Sequence, residues 1–133
     1  MAELMKLHVV CPDRTFYEGE VTMVELNTTE GEIGVYPRHI PMTSILRPGI
    51  LTITSEDGVK NAALHEGFVQ IMPDKVTILA ETAEWPDEID LNRAEAAKGR
   101  AEDRIKEKSD KTDIARAETA LLRAIARIKV INH

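Results

Sequence analysis

The stretch "KVTILAETAEWPDEIDLNRAEAAKGR", Lys75–Arg100, decides the fold, because its hydrophobic period changes partway along. At first it alternates, with Val76, Ile78 and Ala80 set against Thr77, Leu79 and Glu81. A period of two puts neighbouring side chains on opposite faces of a strand. Beyond Glu84-Trp85-Pro86 the apolar positions become Ala94, Ala97, Ala101 and Ile105, spaced i, +3, +7 and +11. That spacing is one narrow stripe of a helix. A β unit therefore hands over to a helical one here, and the predicted units are residues 1–84 and 85–133.

Towards the N-terminus the strand pattern repeats. Short apolar runs such as "KLHVVCPD", "VTMVEL", "ILTITSEDG" and "GFVQIMPD" are cut by Pro12-Asp13, Glu18-Gly19, Glu30-Gly31, Pro48-Gly49, Asp57-Gly58, Glu66-Gly67 and Pro73-Asp74. Turn signals this closely spaced predict a β-sandwich of hairpins. Aromatic residues make up only 4% of the chain, so Val, Ile, Leu, Met and Ala must fill the core.

Towards the C-terminus, a first helix is expected from Asp90 to about Lys106, with Asp87 as the rival N-cap. Gly99 costs it roughly 1 kcal/mol against Ala. The polar connector "EKSDKT" leads to a second helix from about Asp113 to Val130, whose stripe is Ile114, Ala117, Leu121, Ala124 with Ile125, and Ile128. A short connector between two such helices predicts an antiparallel hairpin. Its alanine-rich seam buries little apolar area, at about 25 cal/mol per Å2, while ordering costs roughly 1–2 kcal/mol per residue. Such a pair needs docking and suits a mobile element.

The net charge of −6 argues against a nucleic-acid binder, which needs a basic surface. The single cysteine, Cys11, excludes an internal disulfide and a four-cysteine zinc site. The opening "MAELMKLHVV" lacks a basic region followed by a long apolar run, so no signal peptide is expected. No run of ~18 apolar residues calls for a membrane span. The expectation is a soluble, cytosolic chain that can still sit at a membrane within a complex. His8, His39, His65 and His133 show no metal-ligand spacing, and neither GxSxG, a phosphate-binding glycine loop nor HExxH occurs.

The arginines carry the remaining signal. Arg116, Arg123 and Arg127 fall at i, +7 and +11, and Arg93 and Arg100 lie beside the first helix's stripe. A solvated face with i,i+4 ion pairs is the plain alternative, but Glu95 and Glu118 have no basic residue at i+4. Guanidinium forks drawn from both helices match phosphate. "IDLNRA", Ile89–Ala94, can be a capped helix start, a ligand site, or both, because Asp90 can supply a capping oxygen.

"EGEIGVYPRHIP", Glu30–Pro41, then "GFVQIMPDKVTILAETAE" and the alanine- and arginine-rich hairpin occur in this order. Together they resemble the epsilon subunit of bacterial F-type ATP synthases over nearly the whole chain. The resemblance implies a ten-stranded β-sandwich followed by a helix–turn–helix. It implies a non-catalytic central-stalk subunit that couples ion flow to rotation, bound to the gamma subunit and the c ring. The complex would sit at the cytoplasmic face of the cell membrane, making this chain peripheral. The hairpin would extend along gamma and brake ATP hydrolysis, or fold down on the sandwich. When it is extended, Arg116, Arg123 and Arg127 would face a catalytic beta subunit. Glu32 and His39 fall at the family's c-ring positions, and the apolar surroundings Ile33, Val35 and Ile40 favour contact there. Arg38 stands where many relatives have glycine, a departure that bears on a positive φ.

Some bacterial relatives bind ATP on the folded-down hairpin through a motif resembling I(D/L)xxRA. By that resemblance Glu84, Ile89, Asp90, Arg93, Ala94, Arg100, Arg123 and Arg127 would bind ATP as a regulatory ligand, with no cofactor required. Glu84, Ile89 and Asp90 would lie toward adenine and the arginines toward phosphate. Two rivals remain. One is a free-standing nucleotide sensor on the same fold. The other is a sandwich enzyme using His39 and Glu32, which lacks a nucleophile or an orienting partner.

Overall fold

The computed structural model describes residues 3–107 and 113–133. Most of the expected connector lies outside the described residues. The chain folds as ten strands, β1 (Met5–Cys11), β2 (Arg14–Val21), β3 (Met23–Thr28), β4 (Gly31–Val35), β5 (Met42–Leu46), β6 (Gly49–Ser55), β7 (Gly58–Leu64), β8 (Gly67–Ile71), β9 (Lys75–Ala80) and β10 (Ala83–Glu84). A 3-10 turn, Pro86–Glu88, leads to α1 (Leu91–Glu107), and α2 (Ile114–Ile131) follows.

Alternation builds the sandwich. Met5, Leu7, Val9 and Cys11 of β1 point inward, as do Val76, Ile78 and Ala80 of β9, which is the face expected from the Lys75 stretch. The strands form one hydrogen-bonded path, β10-β7-β6-β3-β5-β8-β9-β1-β2, with β4 on β3. Every ladder is antiparallel except that of β1 and β9, which is parallel. The path folds over so that β2 approaches β6, and side chains from β1, β2, β3, β6, β8 and β9 share one core. Gly67 is required by close approach: a Cβ there would sit 1.9 Å from the Leu79 carbonyl oxygen. The tight entry to β8 fixes the turn that precedes it.

The sandwich's packing continues past the boundary drawn after Glu84. Trp85 stacks on Phe16 of β2 with ring centroids 4.3 Å apart. Arg14 grips both carboxylate oxygens of Glu88 at 2.9 Å and also donates to Ala83 O at 3.1 Å. Glu88 in turn accepts from the Trp85 backbone at 2.9 Å. The 3-10 turn thus packs with the sandwich, and Ile89 and Asp90, the pivot of the hairpin in the extended state proposed below, lie beyond it.

Asp90 caps α1: its Oδ1 accepts from Arg93 N at 3.1 Å. Asp87 lies inside the 3-10 turn. Asp113 caps α2 in the same way, accepting from Arg116 N at 3.1 Å. Ala94 and Ala101 of α1 and Ala117 and Ala124 of α2 are buried, while Ala97, Ile105, Ile114, Leu121, Ile125 and Ile128 are half-buried. The buried Ala126 and Val130 fall outside the expected stripe. They are buried because α2 packs against both α1 and strands β6 and β7, so it needs two apolar faces. The hairpin is folded down on the sandwich.

Candidate functional site

The folded-down hairpin closes a pocket of about 400 Å3, within the range of small-molecule sites. Its lining includes Glu84 from β10, Ile89 and Asp90 from the pivot, Arg93, Ala94, Ala97 and Arg100 from α1, and Arg127 from α2. Seven of the eight residues carried over for ATP therefore line one cavity. Sequence spacing explains part of this. Arg93 and Arg100 are two turns apart on α1, and the Asp90 cap fixes where that helix begins. Arg127 arrives only because α2 docks.

The eighth residue, Arg123, lies elsewhere. Its Nε donates to Glu66 Oε1 at 2.8 Å and Oε2 at 3.0 Å, and its Nη2 also reaches Oε2. Arg116, two turns earlier, is exposed.

Charge in the pocket is already partly neutralised. Glu84 Oε1 accepts from Arg127 Nε at 2.7 Å and from His65 Nε2 at 2.8 Å. Burial opposes ionisation of Glu84, yet the bonds from His65 and Arg127 outweigh it and hold its carboxyl below the ordinary range. An ionised carboxylate only accepts, so His65 carries its proton on Nε2. His65 is buried, and its Nδ1 has no hydrogen-bond partner among the described residues. Glu88 is held low by its bonds from Arg14 and the Trp85 backbone. Glu88 also lines the pocket, so two of its three carboxylates, Glu84 and Glu88, are paired with basic side chains, and Asp90 holds the helix start. Arg93 and Arg100 are exposed at the pocket wall. Such an arrangement favours an anion with several oxygens, approached from the side of α1.

Sequence reasoning missed His65, Glu66, Glu88 and Arg14. Each acts across the fold: Glu66 and Arg123 are 57 positions apart, and Arg14 and Glu88 are 74 apart. A helical or strand period reports neither.

The Glu30–Pro41 loop lies apart from this pocket. Glu32 is exposed on β4, and His39 is half-buried with Nδ1 donating to Ile40 O at 2.7 Å. The apolar residues that argued for a docked loop divide. Val35 is fully buried and Ile33 packs on the core, because alternation in β4 turns both inward. Tyr36 and Ile40 remain outside, at 58% and 79% exposure. Arg38 adopts φ +67°, the left-handed conformation its glycine counterpart would take. Its N–H donates to Pro73 O at 2.6 Å, and its guanidinium pairs with Glu3 at 2.8 Å.

Among the described residues no helix is long and apolar enough to cross a membrane.

Comparison with known proteins agrees with both halves of the chain. The family model for the "ATP synthase, Delta/Epsilon chain, beta-sandwich domain" matches residues 4–86, and that for the "long alpha-helix domain" of the same chain matches residues 87–132. The ATP synthase epsilon chain of Ruminiclostridium cellulolyticum is 46% identical over 126 residues, covering 95% of this chain and 94% of the relative. That of Caldanaerobacter subterraneus subsp. tengcongensis is 44% identical over 131 residues, covering 98% and 95%. A chain of the Euglena gracilis mitochondrial ATP synthase shares the fold with a TM-score of 0.84, at 24% identity, over 98% of this chain and 82% of its own. With a sandwich that runs to the 3-10 turn, a two-helix hairpin folded upon it, and bacterial relatives matched almost end to end, the chain belongs to the ATP synthase delta/epsilon family, among its bacterial epsilon chains.

Proposed function

We propose that the chain is a non-catalytic central-stalk subunit of a rotary ATP synthase, whose hairpin brakes ATP hydrolysis when extended and is held down by ATP. One observation carries the nucleotide half of this reading. Glu84, Ile89, Asp90, Arg93, Ala94, Arg100 and Arg127 come from the sandwich, the pivot and both helices, and they line one pocket only while the hairpin is docked. A ligand of that pocket stabilises the docked state by RT ln(1 + [L]/Kd), about 2.7 kcal/mol at a hundredfold excess over Kd. That suffices to move a marginal helical pair away from an inhibitory position when ATP is plentiful.

The coupling half of the reading is supported by the sandwich's outer face. Ile45, Phe68 and Leu79 are cross-strand neighbours on β5, β8 and β9, and each is exposed. Val10 of β1 extends the row beside Leu79. An apolar row of this kind suits a protein partner, and we assign it to the gamma subunit. Glu32 on β4 and, in the loop beyond that strand, His39 and the exposed Ile40 are assigned to the c ring. As part of that complex the chain would be peripheral, at the cytoplasmic face of the membrane.

Titration of the isolated chain with ATP, followed by NMR over residues 84–127, tests the nucleotide reading. The expected result is saturable shifts at Ile89, Arg93 and Arg100. Unchanged signals and an unchanged melting curve at about a hundredfold excess over a micromolar Kd would leave Asp90 a helix cap only.

A further inference from the structure

We propose that Glu66 is an internal counter-ion for Arg123, so that the hairpin is clasped to the sandwich with no nucleotide bound. The clasp itself does not depend on the nucleotide reading; only its consequence for ATP does. The geometry has three parts. First, Glu66 is mounted on rigid backbone. Glu81 N donates to Glu66 O at 2.7 Å, and His65 N donates to Thr82 O at 3.1 Å. Gly67 then admits the β9 backbone so closely that the turn has little room to shift. Second, Arg123 presents its fork to both oxygens of Glu66. Paired guanidinium–carboxylate bonds of this kind are directional as well as strong. Third, Arg127 lies one helical turn further on and bonds to Glu84, which is backed by the buried His65. Arginines four apart share a helix face; Glu84 stands on β10, which pairs with β7, and Glu66 stands in the turn that follows β7. The sandwich therefore holds α2 at two consecutive turns.

This clasp decides what Arg123 can do. A phosphate in the α1 pocket recruits Arg123 only if the side chain leaves Glu66, because Arg123 is not part of the pocket lining. Glu66 supplies from within the chain the negative charge that a nucleotide would otherwise bring to this arginine. The docked state is then populated before ATP arrives. ATP raises that population through Arg93, Arg100 and Arg127.

Hydrogen exchange of the full-length chain in nucleotide-free buffer tests the clasp. Glu66→Gln and Arg123→Gln should each speed amide exchange across residues 117–130, on the order of 5-fold for a half-exposed, fork-shaped pair. The double variant should be no faster than either single one, and the swapped pair Glu66→Arg with Arg123→Glu should restore most of the protection. Exchange in β1, β8 and β9 reports whether the sandwich stays intact; the swapped pair keeps the test open if a single variant disturbs it. Additive single effects, or a swapped pair no better than the singles, would overturn the proposal. A parallel ATP titration separates the two readings. A clasp that holds in a chain showing no ATP response sinks the nucleotide site and leaves the clasp standing.

Discussion

At the scale of single residues, Arg38 and Asp90 each answer to local geometry that the rest of the fold imposes. Arg38 is held at φ +67° by its N–H bond to Pro73 O and the turn that brings His39 N to Tyr36 O. A non-glycine residue pays roughly 1–2 kcal/mol for that conformation. Arg38→Gly should therefore be more stable than Arg38→Ala by about 1 kcal/mol, since both lose the Glu3 pair and only glycine loses the strain. Equal denaturation midpoints for the two variants would show that the loop relaxes instead. Asp90 caps α1, and the proposed ATP site would give it a second task that substitution can separate from the first. Asp90→Ser keeps a capping oxygen, so α1 should stay intact while ATP affinity falls. Asp90→Ala should lose both, with about 1 kcal/mol lost from the helix start. Thermal melts with and without ATP read the two effects independently. The cap was legible in sequence because it is a contact over three residues. The left-handed Arg38 was legible only as a departure from glycine, because nothing in the chemistry of arginine announces it.

At the scale of elements, what could be read was what repeats. The alternation in β9 and the stripe Ala94, Ala97, Ala101 gave the two units and their faces, since a period is visible without partners. Strand order was not legible: the parallel pairing of β1 with β9 joins residues some seventy positions apart and depends on how the whole sheet closes. The second apolar face of α2 was partly legible, as Leu122, Ala126 and Val130 at i, +4 and +8. It gains meaning only once β6 and β7 lie beneath it. The docking of α2 also carries a pH dependence. The bonds from Arg123 hold the Glu66 carboxyl low against its burial. For Glu84, burial pushes the other way and the bonds from His65 and Arg127 prevail. Around the first stand Arg123, His65 and, beside Arg123, Glu81; around the second stand His65, Arg127 and Glu88. Only the arginine bonds form on docking, because His65 and Glu84 both belong to the sandwich; a carboxyl lowered by them contributes stability above its undocked pKa, which lies no higher than the free value of about 4.3 for these groups. That contribution is lost as pH falls through the docked value. The hairpin should stay docked from neutral pH down to about 4.3 and loosen progressively below it, while the apolar core of the sandwich persists. Exchange in α2 compared with β8 across this range, corrected for the intrinsic rate, checks it. Parallel loss in both elements would mean that the carboxylates stabilise the whole fold and not the docking.

At the scale of the whole molecule, the proposed brake would share the arginines of α2 between two states. In the docked state Arg123 and Arg127 are bound to Glu66 and Glu84, whereas Arg116 is exposed. In the proposed extended state all three would face a catalytic beta subunit, the contact that the family resemblance implies. Reversing Arg123 or Arg127 thus removes attraction from both states, and the two losses oppose each other in the balance between them. A variant that weakens both ends of an equilibrium equally shifts nothing. Arg116 is different: it is exposed in the docked state, so on this proposal it would serve the extended state alone. Arg116→Glu in the reconstituted enzyme should raise ATP hydrolysis at low ATP by more than Arg123→Glu does. The expected factor is on the order of 2–5 for a surface charge contact. The gain should fade as salt is added, because exposed charges are screened within ~8 Å at physiological ionic strength. It should also fade as ATP rises, since the docked state is then filled already. Equal activation by Arg116→Glu and Arg123→Glu at every ATP concentration would show that Glu66 contributes nothing to the docked state. The brake would then be set by contacts of the extended hairpin alone.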